Sequence, residues 1–154
     1  MNLLLIQHGE AVAKEDDPNR PLTEIGELDA MRLGAFLRGK VKPVRLCHSG
    51  KLRAQQTLEH LASAIAPGVP VAAIEGINPK DEVEPFAQLL NDWQEDSLIV
   101  GHLPFMAKLA ARLLTGSEEG MVTAYRPGTV LSLRSTEKGR WELEWMIRPE
   151  LLDH

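Results

Sequence analysis

Three residues in separate parts of the chain have the chemistry needed to handle a phosphate group: His8, Arg53 and His102. A neutral imidazole such as that of His8 is a competent nucleophile toward phosphorus. Arg53 has a planar guanidinium group that binds phosphate, and His102, when protonated, would stabilise charge on equatorial phosphoryl oxygens. Taken alone, each also fits an ordinary structural role, as a hydrogen-bonded histidine or a solvated helix charge. The functional hypothesis therefore depends on their meeting at one place.

Predicted strands end just before each of these segments. Residues 3–6 form a continuous apolar run, and 44–47 and 97–100 are two further strands, apolar except at Arg45 and Ser97. The polar segments after them are residues 7–9, 49–53 and 101–102. In a mainly parallel sheet, ligands bind outside the carboxyl ends of the strands. Three unrelated segments are thus predicted to bring polar groups to one rim of the sheet.

Helical periodicity between the runs indicates how the strands are connected. Thr23 is placed to cap a first helix, in which Ile25, Leu28, Met31 and Ala35 recur at helical spacing as an apolar stripe. Strands that alternate with helices indicate an α/β domain with a mainly parallel sheet covered on both faces.

The remaining elements follow from the same kind of pattern. Ser49 is placed to cap the second helix, and a third helix is predicted through Trp93. Two final runs, 130–133 and 141–147, are joined around Lys138-Gly139 and predict an antiparallel pair of strands.

Composition restricts the class of protein. A chain of 154 residues with 44% hydrophobic residues is the size of a single domain. The net charge of -5 argues against general nucleic-acid binding, which needs clustered Lys and Arg. The single cysteine, Cys47, fits neither a disulfide scaffold nor a Cys-rich zinc site and is predicted to be buried in a strand. No stretch has membrane-spanning length or signal-peptide character, so we expect a cytoplasmic protein with no membrane partner.

Four blocks of sequence together resemble the histidine phosphatase superfamily, and most closely its short, SixA-type phosphohistidine phosphatases. The blocks are Gln7-His8-Gly9-Glu10, Arg20-Pro21-Leu22-Thr23 with Gly26, Ser49 with Leu52-Arg53-Ala54 and Gln56-Thr57, and Gly101-His102-Leu103-Pro104. They occur in the right order over nearly the whole chain. The resemblance implies a three-layer α/β sandwich of the phosphoglycerate mutase-like kind, formed by a single domain over residues 1–154.

The resemblance also implies roles for individual residues. His8 would be the nucleophile that forms a phosphohistidine intermediate, while Arg53 and His102 would bind and polarise the phosphoryl group. Gly9 would line the substrate site, and neither a metal nor another cofactor would be needed. The implied substrate is phosphohistidine on a partner protein, such as a phosphorelay component.

One position departs from the family pattern. The signature triplet of the family usually begins with arginine, where this chain has Gln7. Glutamine donates hydrogen bonds to phosphate but lacks the charge and the bidentate fork, so we expect weaker binding of free phosphate. Arg20 would supply a compensating charge if its loop folds over the site; the alternative is a solvent-facing arginine.

A general acid for phosphate monoesters is expected near the loop over residues 75–84, but the sequence does not choose one. The available carboxyl groups are those of Glu75, Asp81, Glu82 and Glu84. A phosphohistidine substrate relaxes this requirement, because its P–N bond is labile once the leaving imidazole is protonated.

Three alternatives stay open at this point. The first is a phosphatase for small phosphate monoesters, and the second is a module that binds phosphorylated partners with little or no turnover. The third is a metallohydrolase that uses His8, His48 and His102, although the sequence has no His-Glu-x-x-His helix.

Overall fold

The computed structural model describes residues 1–152, so the last two residues of the predicted 1–154 domain lie outside the described part. Strands and helices alternate through most of this range. The strands are β1 Asn2–Gln7, β2 Arg45–His48, β3 Val71–Ala73, β4 Ser97–Gly101, β5 Val130–Glu137 and β6 Arg140–Ile147. The helices are α1 Glu24–Leu37, α2 Leu52–Ile65, α3 Val83–Leu90 and α4 Phe105–Thr115, followed by a 3-10 turn over Pro149–Leu151.

The strands form one sheet in the order β3-β2-β4-β1-β5-β6. The neighbours from β3 to β1 are parallel, whereas β5 is antiparallel to β1 and β6 is antiparallel to β5. In register, Gln7 at the end of β1 lies opposite Gly101 at the end of β4, and His48 on β2 lies opposite Val100. The ends of these three strands therefore meet at one edge, the carboxyl edge.

Each face of the sheet is covered by a pair of helices, which gives the predicted three-layer α/β sandwich. Leu4 and Ile6 of β1 pack with α1 and α2, whereas Leu3 and Leu5 pack with α3 and α4. A buried strand must be apolar on both faces, which explains the uninterrupted run in β1. None of the helices in residues 1–152 is long and apolar enough to cross a membrane.

The buried face of α1 is the opposite of the predicted one. Ile25, Leu28 and Met31 are 60%, 43% and 48% exposed, and the residues that face the interior are Gly26, Ala30, Leu33, Gly34 and Leu37. The cause is the close approach of neighbouring backbone. A Cβ atom at position 26 would overlap the carbonyl oxygen of Glu10, and one at position 34 would lie 2.9 Å from the Cβ of Ala64 on α2. Because only small residues fit at these points, the glycine face of α1 packs against the interior, and Ile25, Leu28 and Met31 are left on the exposed face.

Two local predictions are also corrected. The residue that caps α2 is Lys51, which makes no side-chain capping bond, and the hydroxyl of Ser49 bonds to His102 instead. Helix α3 ends at Leu90, so Trp93 follows the helix and packs its ring edge-on against Phe86 at 5.8 Å. The Thr23 cap is observed as predicted, because its side chain accepts a hydrogen bond from the Gly26 N–H.

Candidate active site

The three residues singled out in the sequence lie at the carboxyl edge of the sheet. His8 follows β1, its backbone N–H donates to the Gly101 carbonyl at 3.0 Å, and His102 follows β4. The two imidazole rings are 5.0 Å apart, centre to centre. Arg53 lies in the first turn of α2, close enough for its charge to lower the pKa of both histidines. The fold therefore brings the three side chains together at one edge of the sheet.

The His8 ring is held in one orientation by the backbone of the next residue. Its Nδ1 lies 2.7 Å from the carbonyl oxygen of Gly9. A carbonyl only accepts hydrogen bonds, so Nδ1 carries the proton in the neutral ring and Nε2 keeps its lone pair. Burial lowers the pKa of His8 to about 4, with the nearby Arg53 and Arg20 charges acting in the same direction. At neutral pH, His8 is thus an uncharged imidazole with a free nucleophilic nitrogen.

His102 is nearly inaccessible to solvent and contacts Ser49. Its Nε2 lies 2.5 Å from the Ser49 hydroxyl, and its Nδ1 is buried without a hydrogen-bond partner among the described residues. Burial lowers the pKa of His102 to about 3, assisted by the charges of His8, Arg53, Lys51 and Arg20. The ring is therefore neutral in the empty site. A bound phosphate would add negative charge among these cations and raise that pKa.

The surroundings of the two histidines are positively charged. Burial lowers the pKa of the Arg53 guanidinium, and repulsion from Arg20 lowers it further. The Nε of Arg53 is buried and has no hydrogen-bond partner within residues 1–152. Cations that repel one another and have unmet hydrogen-bonding capacity make a site that an anion stabilises.

Arg20 belongs to this cluster because of the shape of its loop. Its backbone has a φ of +48°, in the left-handed region that is uncommon outside glycine. Its Nε donates to the Val12 carbonyl at 3.0 Å, and its charge acts on His8, Arg53 and His102. The loop thus folds toward the site, in the arrangement needed for the compensating charge expected from the sequence. Its role in binding stays a prediction.

Gln7 and Gly9 flank the His8 backbone. Gln7 is only 7% exposed, and its side-chain Oε1 is buried without a hydrogen-bond partner in the described part of the chain. A Cβ atom on Gly9 would lie 3.1 Å from the Gly26 carbonyl oxygen, so the glycine accommodates backbone of the first helix. A substrate-binding role for either residue stays a prediction.

The candidate general acids are bonded to other residues or exposed to solvent. Glu84 forms a two-pronged ion pair with Arg112 on α4, which holds the pKa of its carboxyl at about 2, and Asp81 accepts a bond from the Asn78 N–H. Glu75 and Glu82 are exposed to solvent. Within residues 1–152, no carboxylate is among the charges that shift the pKa of either histidine. The charges that act on the two histidines are therefore those of cationic side chains, such as Arg53 and Arg20.

The metal-site alternative receives no support from the arrangement of side chains. Among the described residues, no group of three His, Cys, Asp or Glu side chains could hold a metal ion together. His48 directs its Nδ1 to the Gly50 N–H at 3.0 Å. A cavity of about 410 Å³ lies at the other edge of the sheet, around Ser97 and Ser132, and contains neither active-site histidine. We place the site at the histidines because chemical groups converge there, whereas that cavity has only mixed surface charges.

Ser49 and Thr57 touch the site residues, although the sequence assigned them no role in it. Ser49 contacts His102, while Thr57 bonds both to the Gly9 N–H and to the Arg53 carbonyl. Ser49 directly follows the end of β2, and that position could have indicated from the sequence that its side chain lies at the site. For Thr57, the signal in the sequence was its place in the Gln56-Thr57 block that resembles the family, which assigned it no role of its own.

Replacing Gln7 with arginine should tighten anion binding at least tenfold. The new guanidinium would add a charge-assisted contact, worth roughly 1.5–3 kcal/mol when well formed, and about 1.4 kcal/mol corresponds to a factor of ten. Titration with vanadate at fixed ionic strength measures the effect. Gln94→Arg, which adds the same charge near the opposite edge, is the matched control. Unchanged or weaker binding by Gln7→Arg would show that position 7 does not face the anion.

Comparison with known proteins agrees with this geometry. The profile of the histidine phosphatase superfamily (branch 1) matches residues 3–78, which include His8 and Arg53 but not His102. A search of curated protein sequences finds no significant match. The solved structure of the protein histidine phosphatase SixA complexed with tungstate is 25% identical over 99% of this chain and 100% of its own, with a TM-score of 0.88.

Structures of more distant proteins share the fold. The alpha-ribazole phosphatase from Shigella flexneri is 22% identical, with 97% of each chain covered and a TM-score of 0.70. A mutant phosphoserine phosphatase from Entamoeba histolytica, in complex with phosphoserine, is 18% identical, with 98% of each chain covered and a TM-score of 0.74. Proteins with this fold thus carry names that refer to different phosphorylated substrates.

Proposed function

Because this chain belongs to the histidine phosphatase superfamily, we propose that it is a phosphatase in which His8 takes up the phosphoryl group and passes it to water. The finer proposal is that the substrate is phosphohistidine on a partner protein. The chain is similar over its whole length to the protein histidine phosphatase SixA, which favours this substrate class over the others.

In the first step, the Nε2 lone pair of His8 attacks phosphorus in line with the bond to the leaving group. The Nε2–P bond forms while the P–N bond of the substrate breaks, and its electron pair goes to the leaving nitrogen. A substrate imidazole protonated at its other nitrogen leaves as neutral imidazole. The Gly9 carbonyl, 2.7 Å from Nδ1, stabilises the positive charge that develops on His8.

In the second step, water attacks the phosphorus of the His8 adduct. The Nε2–P bond breaks, its electron pair returns to Nε2, and phosphate is released. Arg53, and His102 once the anion has raised its pKa, would donate hydrogen bonds to the equatorial oxygens in both transition states. Such donors accelerate the reaction only to the extent that they bind the transition state more strongly than the ground state.

The single observation that carries the proposal is the His8–Gly9 hydrogen bond. This bond leaves the nucleophilic nitrogen, Nε2, without a proton and uncharged. The His8 ring lies 5.0 Å from the His102 ring, and the charges of Arg53 and Arg20 act on it. Within residues 1–152, no carboxylate is among the charges that act on His8 or His102, and this supports a P–N substrate, whose leaving group needs no carboxylic acid.

A turnover panel tests the proposal. We expect kcat/KM for a phosphohistidine-bearing protein and for the small compound phosphoramidate to exceed that for phosphoserine at least tenfold. The reason is that an alkoxide leaving group needs a carboxylic acid to protonate it, and within residues 1–152 no carboxylate is among the charges that act on His8 or His102. Phosphate release measured with chelator present throughout gives the comparison.

The panel also separates the alternatives. Faster hydrolysis of phosphoserine than of phosphoramidate would favour a phosphatase for small monoesters. Binding of phosphorylated substrates without any release would favour the binding module. Activity that is lost with chelator and restored only by zinc or magnesium would favour the metallohydrolase.

A further inference from the structure

Thr57 lies between the two chemically essential parts of the site without belonging to either. It is on the second turn of α2 and is 1% exposed. Its Oγ1 accepts a hydrogen bond from the backbone N–H of Gly9 at 2.9 Å and donates one to the backbone carbonyl of Arg53 at 2.8 Å. One hydroxyl group thus bonds to the residue next to His8 and to the turn that carries Arg53.

The bond to Gly9 holds the N–H of the His8–Gly9 peptide, one of the two peptide units that flank the Gly9 Cα. Glycine has the widest choice of backbone conformations, so the direction of the Gly9 carbonyl must be set by its contacts. Thr57 holds the Gly9 N–H, and the Gly9 carbonyl, in the next peptide unit, accepts the hydrogen bond from Nδ1 of His8. The hydrogen bonds form a continuous series from the His8 ring through Gly9 and Thr57 to Arg53.

We infer that Thr57 is a positioning residue. Through Gly9 it keeps the proton of His8 on Nδ1, and through its bond to the Arg53 carbonyl it fixes the position of the first turn of α2 relative to His8. The inference rests on the proposed role of His8 as nucleophile. Without the hydroxyl, the buried Gly9 N–H would lack a partner, and such a group costs roughly 1–3 kcal/mol. The Gly9 backbone would adjust to give this N–H another acceptor. Through the φ and ψ angles of Gly9, the carbonyl in the following peptide unit would then move away from Nδ1, and the His8 ring could hold its proton on Nε2, where it blocks attack.

Thr57→Val tests the inference, because valine keeps the shape of threonine and removes the hydroxyl. We expect kcat to fall at least tenfold with little change in KM, since the loss affects the orientation of the nucleophile more than the binding of substrate. Long-range ¹H–¹⁵N NMR of the His8 ring at pH 7 should show a single Nδ1–H tautomer in the wild type. In the variant it should show a mixture with the Nε2–H form.

Three further variants complete the test. Thr57→Ser keeps the hydroxyl and should retain both the wild-type kcat and the wild-type tautomer. Thr115→Val removes a hydroxyl that makes the same kind of bond, to the Ala111 carbonyl at 2.8 Å, and should leave both readouts unchanged. Thr57→Ala removes the hydroxyl with less demand on packing and replaces the valine variant if that protein does not fold.

The possible outcomes are distinguishable. Wild-type kcat and tautomer in Thr57→Val would overturn the inference, as would a Thr57→Ser variant impaired as severely as Thr57→Val. A wild-type protein with no turnover would contradict the proposed function. In that case the NMR readout, which needs no turnover, still decides whether Thr57 controls the His8 tautomer.

Discussion

His8→Ala should lose turnover completely and should form no phosphorylated protein. The proposed nucleophilic nitrogen is then absent, and the roles proposed for Arg53 and His102 are to contact the phosphoryl oxygens rather than to attack phosphorus. Rapid quenching of the wild type with labelled phosphoramidate should trap phosphate on the protein. The adduct should be labile in acid and stable in base, as expected for a P–N bond.

Two comparison variants make this result specific. His102→Ala should slow turnover while still forming the labelled adduct, because its proposed role is to stabilise charge. His60→Ala, on the outer part of α2 beside Glu27, should behave like the wild type. A His8→Ala protein that turns over at a rate near wild type, or that still acquires label, would show that the nucleophile is elsewhere.

Arg53→Gln should lower kcat/KM by at least a hundredfold. Arg53 offers a charged fork to the phosphoryl oxygens, and removal of one strong transition-state donor typically costs about 2.7–4 kcal/mol. The comparison of kcat with KM is informative as well. A loss confined to kcat would place the contact mainly in the transition state, whereas a loss confined to KM would mean that ground state and transition state are bound equally.

The same substitution should leave the thermal stability unchanged or raise it. Arg53 is repelled by Arg20 in the empty site, and burial of its charge is unfavourable, as the lowered pKa of Arg53 indicates. Loss of activity with retained stability separates a functional arginine from a structural one. Arg134→Gln is the control for a general loss of positive charge, because Arg134 is an exposed residue of β5 that lies opposite Asn2, at the end of β1 away from the site. A marked drop in the melting temperature of Arg53→Gln together with its activity would assign Arg53 a structural role instead.

The placement of the site was accessible from the sequence because it depends on strand ends. β1 is apolar at every position from Leu3 to Ile6, and such a strand must lie inside a sheet with both faces covered. Parallel strands align their carboxyl ends, so polar residues that follow three such strands meet at one edge. The positions of His8, Arg53 and His102 follow from this rule alone.

The interior face of α1 was not accessible in this way. Periodicity shows that Ile25, Leu28 and Met31 share one side of the helix, but it does not show which side meets the sheet. That choice depends on how closely neighbouring backbone approaches, and at Gly26 and Gly34 the approach excludes any larger side chain. Local pattern carries no information about such distances.

The sequence by itself determined the α/β class, the strands β1, β2 and β4 and the chemical character of the site, because apolar runs and strand ends are local properties. Only the tertiary structure decided which hydrogen bonds join the parts. The Ser49 contact with His102, the Thr57 link between Gly9 and Arg53, and the approach of Arg20 connect segments far apart along the chain. Hydrogen bonds act only over about 3 Å, so their partners are settled when packing brings the segments together, and no spacing along the chain specifies them.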